Sequence, residues 1–253
     1  AETTEGMHNL FRASSIASLE GQLYKPRMDR EVLQTYSKGL IATTGCPSGE
    51  IQTRLRLGQY QEAVAAAAEF RDIFGKGNFY CEVMDHGLSI EKNVAADLMR
   101  LAKELDLPFV ATNDLHYTKH EDYNAHAALL CVQSGSTLED PNRFKFDADN
   151  FYLRSPEEMY SIFGDIPGAC ENTLLVAERC NVSFTTADEG ANYMPVFPVP
   201  EGEDITSWFV KEVDRGLHVR FGEKIPADVR ERADYEVSVI LQMGFPGYFL
   251  VVS

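Results

Sequence analysis

"SIEKNVAADLMRLAKELDLPFVATNDLH", residues 89–116, is the stretch on which the fold turns. Val94, Leu98, Leu101, Ala102 and Leu105 recur at spacings of three and four. That pattern predicts an amphipathic helix over 89–106, with Ser89 as its N-cap. Pro108 closes the helical pattern. Phe109, Val110 and Ala111 then form an unbroken apolar run, the signature of a strand covered on both faces. The run stops at Asn113-Asp114, and Asp114 and His116 follow one residue apart. Outward from this stretch the same alternation recurs. "GLIATTGC" (39–46) and "NFYCEVMDHG" (78–87) read as strands. Helices are expected over 10–19, over a stretch ending near Phe74 and clearest in "EAVAAAAEFRDIF" (62–74), and over 120–135. Alternating strands and helices imply an α/β fold with a parallel sheet and right-handed crossovers, either an open doubly wound sheet or part of a (β/α) barrel. In both, ligands bind at the carboxyl ends of the strands.

Composition bounds what such a chain does. Its 253 residues suffice for one large domain or one and a half smaller ones; 44% are hydrophobic and 25% charged, as in ordinary globular proteins. No apolar run approaches the ~18 residues of a membrane span, and the first residues carry no basic-then-apolar leader pattern. The five cysteines, Cys46, Cys81, Cys131, Cys170 and Cys180, are scattered and form no CxxC pair, which predicts a reducing, cytoplasmic setting without disulfides. The net charge of −16 repels phosphate backbones, so a nucleic-acid contact would need a local basic patch or bound metal ions.

After about Pro141 the pattern becomes helical. "RSPEEMYSIFGDIP", "GACENTLLVAERCNV", "TSWFVKEVDRGLHVRFG" and "ADVRERADYEVSVILQMG" each read as a helix, and the proline-bearing stretch 191–203 reads as an extended linker. Boundaries are expected near 140–150 and at 191–203. The opening inside a helical pattern and the close on the apolar "GFPGYFLVVS" suggest a piece of a longer protein.

The expected strand ends carry Cys46, then Asp85 and His86, then Asp114 and His116. A thiolate, carboxylates and imidazoles on one rim suit zinc, manganese or iron. In an extended segment residues i and i+2 share a face, so Asp114 and His116 can address one ion or two adjacent ions. The bland readings stand beside this one. Asp114 is also a good turn residue, His116 a loop histidine, Cys46 a small buried hydrophobe, and "DHG" an ordinary strand-ending turn. His120, His126 and His218 read as surface or packing residues on helices. GxGxxG, GxxxxGK[ST] and GxSxG are missing, and a cysteine nucleophile in "TGCPSGE" ranks below a metal site.

"GLIATTGCPSGEI", "VATNDLHY", "FYLRSPEEM", "IPGACENTLLVAERCNV" and "QMGFPGYFLVV", taken in order, resemble the C-family replicative DNA polymerases, the family of the bacterial DNA polymerase III alpha subunit. The resemblance covers essentially the whole chain. It implies that residues 1–145 are the later part of a PHP domain, the C-terminal half of a distorted (β/α)₇ barrel with metal-dependent phosphoesterase chemistry. It implies that 146–190 are a helical connector, 191–203 the linker and 204–253 the helical start of the palm region. Cys46, Asp114 and His116 match the family's late metal ligands, with Asp114 and His116 also the catalytic pair. His86 matches no ligand, and Asp85 and His86 remain candidates behind the ligands. The family's earlier PHP ligands, its GPGRGS motif and its polymerase aspartates have no counterpart in the sequence.

The implied activity is DNA-templated DNA synthesis in replication, with a 3′–5′ proofreading exonuclease at the PHP site that uses zinc, manganese or iron. Magnesium would serve the polymerase site elsewhere. Implied partners are primer-template DNA, the sliding clamp and other replisome subunits, and a separate proofreading subunit. Two alternatives stay open: an inert PHP scaffold that docks a separate exonuclease, and a free-standing PHP phosphoesterase.

Overall fold

The computed structural model describes residues 1–186 and 193–253, and its contacts divide the chain into two compact units, Ala1–Phe184 and Thr185–Ser253. The division falls later than the change of character near 140–150 in the sequence. Two residues of the expected linker, 191 and 192, lie outside the described residues. From 193 to 203 the chain has no helix or strand.

The first unit opens with α1 (Thr4–Leu19), whose cap Thr3 accepts a hydrogen bond from the Gly6 amide. A minimal antiparallel hairpin, β1 (Gln22–Leu23) and β2 (Lys25–Pro26), leads to α2 (Arg30–Tyr36). Then follow β3 (Ala42–Thr43), α3 (Glu50–Arg56), α4 (Tyr60–Phe74), β4 (Phe79–Val83), α5 (Ser89–Glu104) and β5 (Phe109–Ala111). A short 3₁₀ turn at His120–Asp122 enters α6 (Tyr123–Ser134), and α7 (Pro156–Phe163) and α8 (Glu171–Arg179) complete the unit.

The three main strands pair in parallel in the order β3-β4-β5. Ala42 is in register with Phe79, and Cys81 and Val83 with Phe109 and Ala111. The unit is therefore α/β with a parallel sheet, as the alternation predicts. The strands are shorter than their apolar runs, so Cys46, Asp114 and His116 stand on the loops that leave the sheet. Ser89 is the first helical residue of α5 and not its cap; Leu88 takes the cap position. The helical stretch before β4 is broken between Arg56 and Tyr60, where Gly58 adopts φ 71°.

The core follows from the periodicity. Leu98, Leu101 and Ala102 of α5 bury against Phe79 and Cys81 of β4, and α4 approaches closely because Ala63 and Ala67 have no bulk. Phe163 of α7, with Ala169 and Cys170, belongs to the same cluster. The outer edge of β5 is covered too: the Ala111 amide donates to the Ala169 carbonyl, and Asn172 Nδ2 donates to the Phe109 carbonyl.

The second unit holds α9 (Ile205–Phe221), α10 (Ala227–Gln242) and α11 (Pro246–Val252). Asp204 and Ser207 form a capping box at the start of α9. Phe209 of α9 and Leu250 of α11 are buried. Among the described residues no single helix is long and apolar enough to cross a membrane.

Candidate active site at the strand ends

The loop after β5 brings Asp114 and His116 together. His116 Nδ1 lies 2.6 Å from the Asp114 carbonyl oxygen, and 3.9 Å from its carboxylate. A carbonyl only accepts, so Nδ1 carries a proton, and in the neutral ring this leaves the lone pair on Nε2. Metal-bound histidines are commonly held this way, with one nitrogen tied to a carbonyl and the other free to ligate. Asp114 has φ 41°, a left-handed conformation that costs a non-glycine residue energy and persists only where the surroundings hold it.

Those surroundings are specific. His86 is 3% exposed and stacks on Phe151 at 4.2 Å between ring centroids. Its Nε2 donates to the Asn113 carbonyl at 2.9 Å, and its Nδ1 lies 2.6 Å from Glu91 Oε1. Both ring nitrogens therefore donate, which makes an imidazolium–carboxylate pair. Burial opposes the charge on His86, but hydrogen bonds to Glu91 and Asn113 and the nearby carboxylate outweigh it, and the pKa is raised. Glu91 is pushed upward by its own burial and downward more strongly by His86; its pKa is lowered. Asn113 Nδ2 donates to the carbonyls of Asn150 and Tyr152, and Asn150 Nδ2 returns to the His86 carbonyl. The amide of His116 donates to Phe151. The end of β4, the end of β5 and the loop at 150–152 thus form one hydrogen-bonded bracket around Asp114.

The expected residues fare differently. His86 is a buried brace below the pair. Asp85 is spent on structure: its carboxylate accepts from the Gly87 amide and its carbonyl from Arg154. Cys46 is exposed on the loop after β3, and no contact joins it to Asp114 or His116 among the described residues. Among those residues no group of three His, Cys, Asp or Glu stands close enough to hold a metal ion. Among the described residues Cys46 thus forms no such three-residue group with Asp114 and His116. An aspartate and a histidine with a free Nε2 suit a borderline divalent ion as part of a donor set, but not as a complete one.

His126 of α6, a plain helix residue in the sequence, has its ring 5.6 Å from that of His116. Burial, and then the repulsion that a protonated His116 would exert, lower its pKa. His120 pairs with Asp149 at 3.2 Å. Glu82 of β4 takes hydroxyl hydrogen bonds from Thr43 and Thr112 and clamps the three strands. No spacing in the sequence announces these partners, because each lies on another element. A cavity of about 170 Å³ opens beside the ends of β3 and β4; Asp85 and Glu91 line it, while Asp114 and His116 do not.

Comparison with known proteins places this geometry in a lineage. The family model of the PHP domain matches residues 1–86, and that of the bacterial DNA polymerase III alpha NTPase domain matches residues 207–253. The DNA polymerase III subunit alpha of Mycobacterium leprae is 52% identical over 255 residues, which is 100% of this chain and 22% of that protein. The Mycobacterium tuberculosis subunit is 53% identical over 255 residues with the same coverage, and that of Treponema pallidum 40% over 253, covering 100% of this chain and 21% of its own. The chain spans about a fifth of the length of the curated relatives it matches. Similar to them along its whole length, the chain belongs to the family of the bacterial DNA polymerase III alpha subunit.

Proposed function

We propose that this chain is part of the catalytic alpha subunit of a replicative DNA polymerase, acting on primer-template DNA with a sliding clamp and other replisome subunits in the cytoplasm. The end-to-end identity of 52% and 53% to subunits of that name carries the reading. On it, residues 1–145 are the later part of a PHP barrel, 146–190 a helical connector, 191–203 a linker and 204–253 the helical start of the palm. Magnesium would serve the polymerase site elsewhere in the subunit. A free-standing phosphoesterase acting on small esters fits such relatives poorly.

The first unit is further proposed to form one side of a metal-dependent 3′–5′ proofreading exonuclease. Support comes from Asp114, held at φ 41° by a dedicated bracket, beside a histidine with a free Nε2. Asp114 would supply a carboxylate ligand and His116 a neutral imidazole, with Cys46 the candidate third donor favouring zinc, manganese or iron. A bound ion would lower the pKa of water and offset charge on the phosphate. The chain itself fixes the tautomer of His116, the backbone of Asp114 and the separation between them.

The test uses the whole subunit: excision of a mismatched 3′ terminus by the native protein and by Asp114→Asn, with bound metal counted in both. Asparagine tolerates the left-handed conformation, so the variant changes the charge and spares the fold. Loss of metal and of excision, with polymerisation kept, is expected. A second reading draws on the lack of a three-donor group among the described residues. On that reading the unit is an inert scaffold that docks a separate exonuclease, and the native subunit would hold no metal and excise no better than the variant.

A further inference from the structure

A ladder of rings runs outward from His116. Phe146 meets it edge to face at 4.7 Å between centroids, and Phe144 meets Phe146 edge to face at 5.9 Å. Phe151 closes the inner end at 4.8 Å from Phe146. Exposure rises along the ladder: Phe151 is 5% exposed, Phe146 half-buried and Phe144 59% exposed. Asp114 and His116 lie at its foot, their side chains 48% and 33% exposed. A single exposed phenylalanine needs no explanation, but one that caps a packed ladder ending on a candidate catalytic pair does.

Charge adds a second observation. Arg143 and Lys145 flank Phe144 in the chain, and neither pairs with a carboxylate among the described residues. Arg143 Nε donates to the Leu138 carbonyl, while its Nη1 is buried without a partner. Of the loop's carboxylates, Asp140 accepts from the Asn142 amide and Asp149 pairs with His120; Glu139 and Asp147 carry its other negative charges. An exposed ring packed on a half-buried one, beside cations that no carboxylate neutralises among the described residues, is what single-stranded nucleic acid needs, since every base has a face to stack and every nucleotide a phosphate to neutralise.

We infer that Phe144 and Phe146 form a stacking platform for the last bases of a single-stranded DNA 3′ end, with Arg143 and Lys145 at its phosphates, and that this platform delivers the terminal phosphodiester to Asp114 and His116. It rests on the reading of that pair as a phosphodiester-cleaving site. A paired duplex end keeps its bases stacked on each other and offers the platform no free face. With a net charge of −16 repelling the rest of a duplex, the platform selects frayed ends.

The experiment uses the whole subunit in EDTA, so that no turnover occurs, and a single-stranded oligonucleotide ending in a 3′ 5-iodouracil. Long-wavelength irradiation joins that base to the aromatic ring it stacks on, and peptide mass spectrometry locates the adduct. Adducts on Phe144 or Phe146 are expected, with yield at a sub-saturating oligonucleotide concentration reduced about tenfold in Phe144→Ala, restored in Phe144→Trp and lower for a fully paired end. An unchanged unfolding midpoint in Phe144→Ala separates loss of the platform from loss of the fold. Adducts solely outside 138–154, as expected if this face docks a protein, or equal yield in Phe144→Ala, overturn the inference. Adducts on the platform in a subunit that excises nothing would sink the exonuclease reading alone, and excision without such adducts would sink the platform alone.

Discussion

His86 shows how one side chain sets a local geometry. Its charge is retained inside the unit because Glu91 answers it on one side and the Asn113 carbonyl on the other. The folded-state pKa of His86 lies above 6.5 and that of Glu91 below 4.5. The raised histidine contributes stability that is complete below 6.5 and lost as pH rises through its folded value. The lowered glutamate contributes stability that is complete above 4.5 and lost as pH falls through its folded value. The pair is thus most stabilising between 4.5 and 6.5. His86→Gln, which leaves Glu91 buried without a counter-charge, is expected to cost about 3–5 kcal/mol in that window. Urea midpoints of native and variant chains at about pH 5.5 and about pH 9 check this, with the smaller difference expected at the higher pH. An equal difference at both would mean that His86 acts through packing alone. The cysteines divide in the same manner. Burial, and then the charge of Glu82, push the Cys81 thiol up to about 12. A thiol reagent at about pH 8 should label exposed Cys46 and Cys180 in the native chain and spare Cys81, Cys131 and Cys170 until urea is added. Fast labelling of Cys81 would contradict its burial in the core.

At the scale of elements, two glycines in helices test opposite signs of one substitution. Replacing glycine by alanine within a helix gains roughly 0.5–1 kcal/mol in propensity. At Gly6 of α1 the added Cβ would lie 1.9 Å from the Gly39 carbonyl oxygen, in backbone that cannot turn aside. Overpacking of this kind costs about 1–3 kcal/mol, so the clash outweighs the gain and Gly6→Ala should lower the unfolding midpoint. At Gly216 of α9 nothing lies within 4 Å, so Gly216→Ala should raise the stability of the second unit. Thermal unfolding of both variants measures the contrast, and a shared sign would refute it. The close approach at Gly6 matters beyond α1, because Asn9 also ties that helix to the Lys38 carbonyl just ahead of β3.

At the scale of the whole molecule, the first unit owes its integrity to elements that follow the sheet. The edge of β5 is covered by Ala169 and Asn172, and Phe163 fills the core that β4 and α5 form. Residues 1–184 alone should unfold in one transition, at the urea concentration they show in the full chain. Truncation after about residue 145 bares the β5 edge and opens the core, and aggregation on size-exclusion chromatography is the expected result. A well-behaved, cooperatively folding 1–145 would show that α7 and α8 are decoration. The same dependence explains why a boundary near 140–150, placed where the strand-and-helix alternation stops, does not separate compact units.

Local pattern by itself determined much of this protein. The 3.6-residue period of α5, the apolar runs of β4 and β5 and their alternation required a parallel α/β sheet, and the spacing of Asp114 and His116 required that they share a neighbourhood. Those features depend on residues close together in the chain. Only the tertiary structure decided the rest. Asn150 reaches the His86 carbonyl across 64 residues, and Asn113 reaches Tyr152 across 39. His126 and Phe146 meet the His116 ring from separate segments of the chain, and Cys46 forms no metal-holding group with the pair among the described residues. A hydrogen bond or ring contact between distant segments depends on how elements are packed, and hydrophobic periodicity, which specifies which face of an element is buried, carries no record of which partner meets that face.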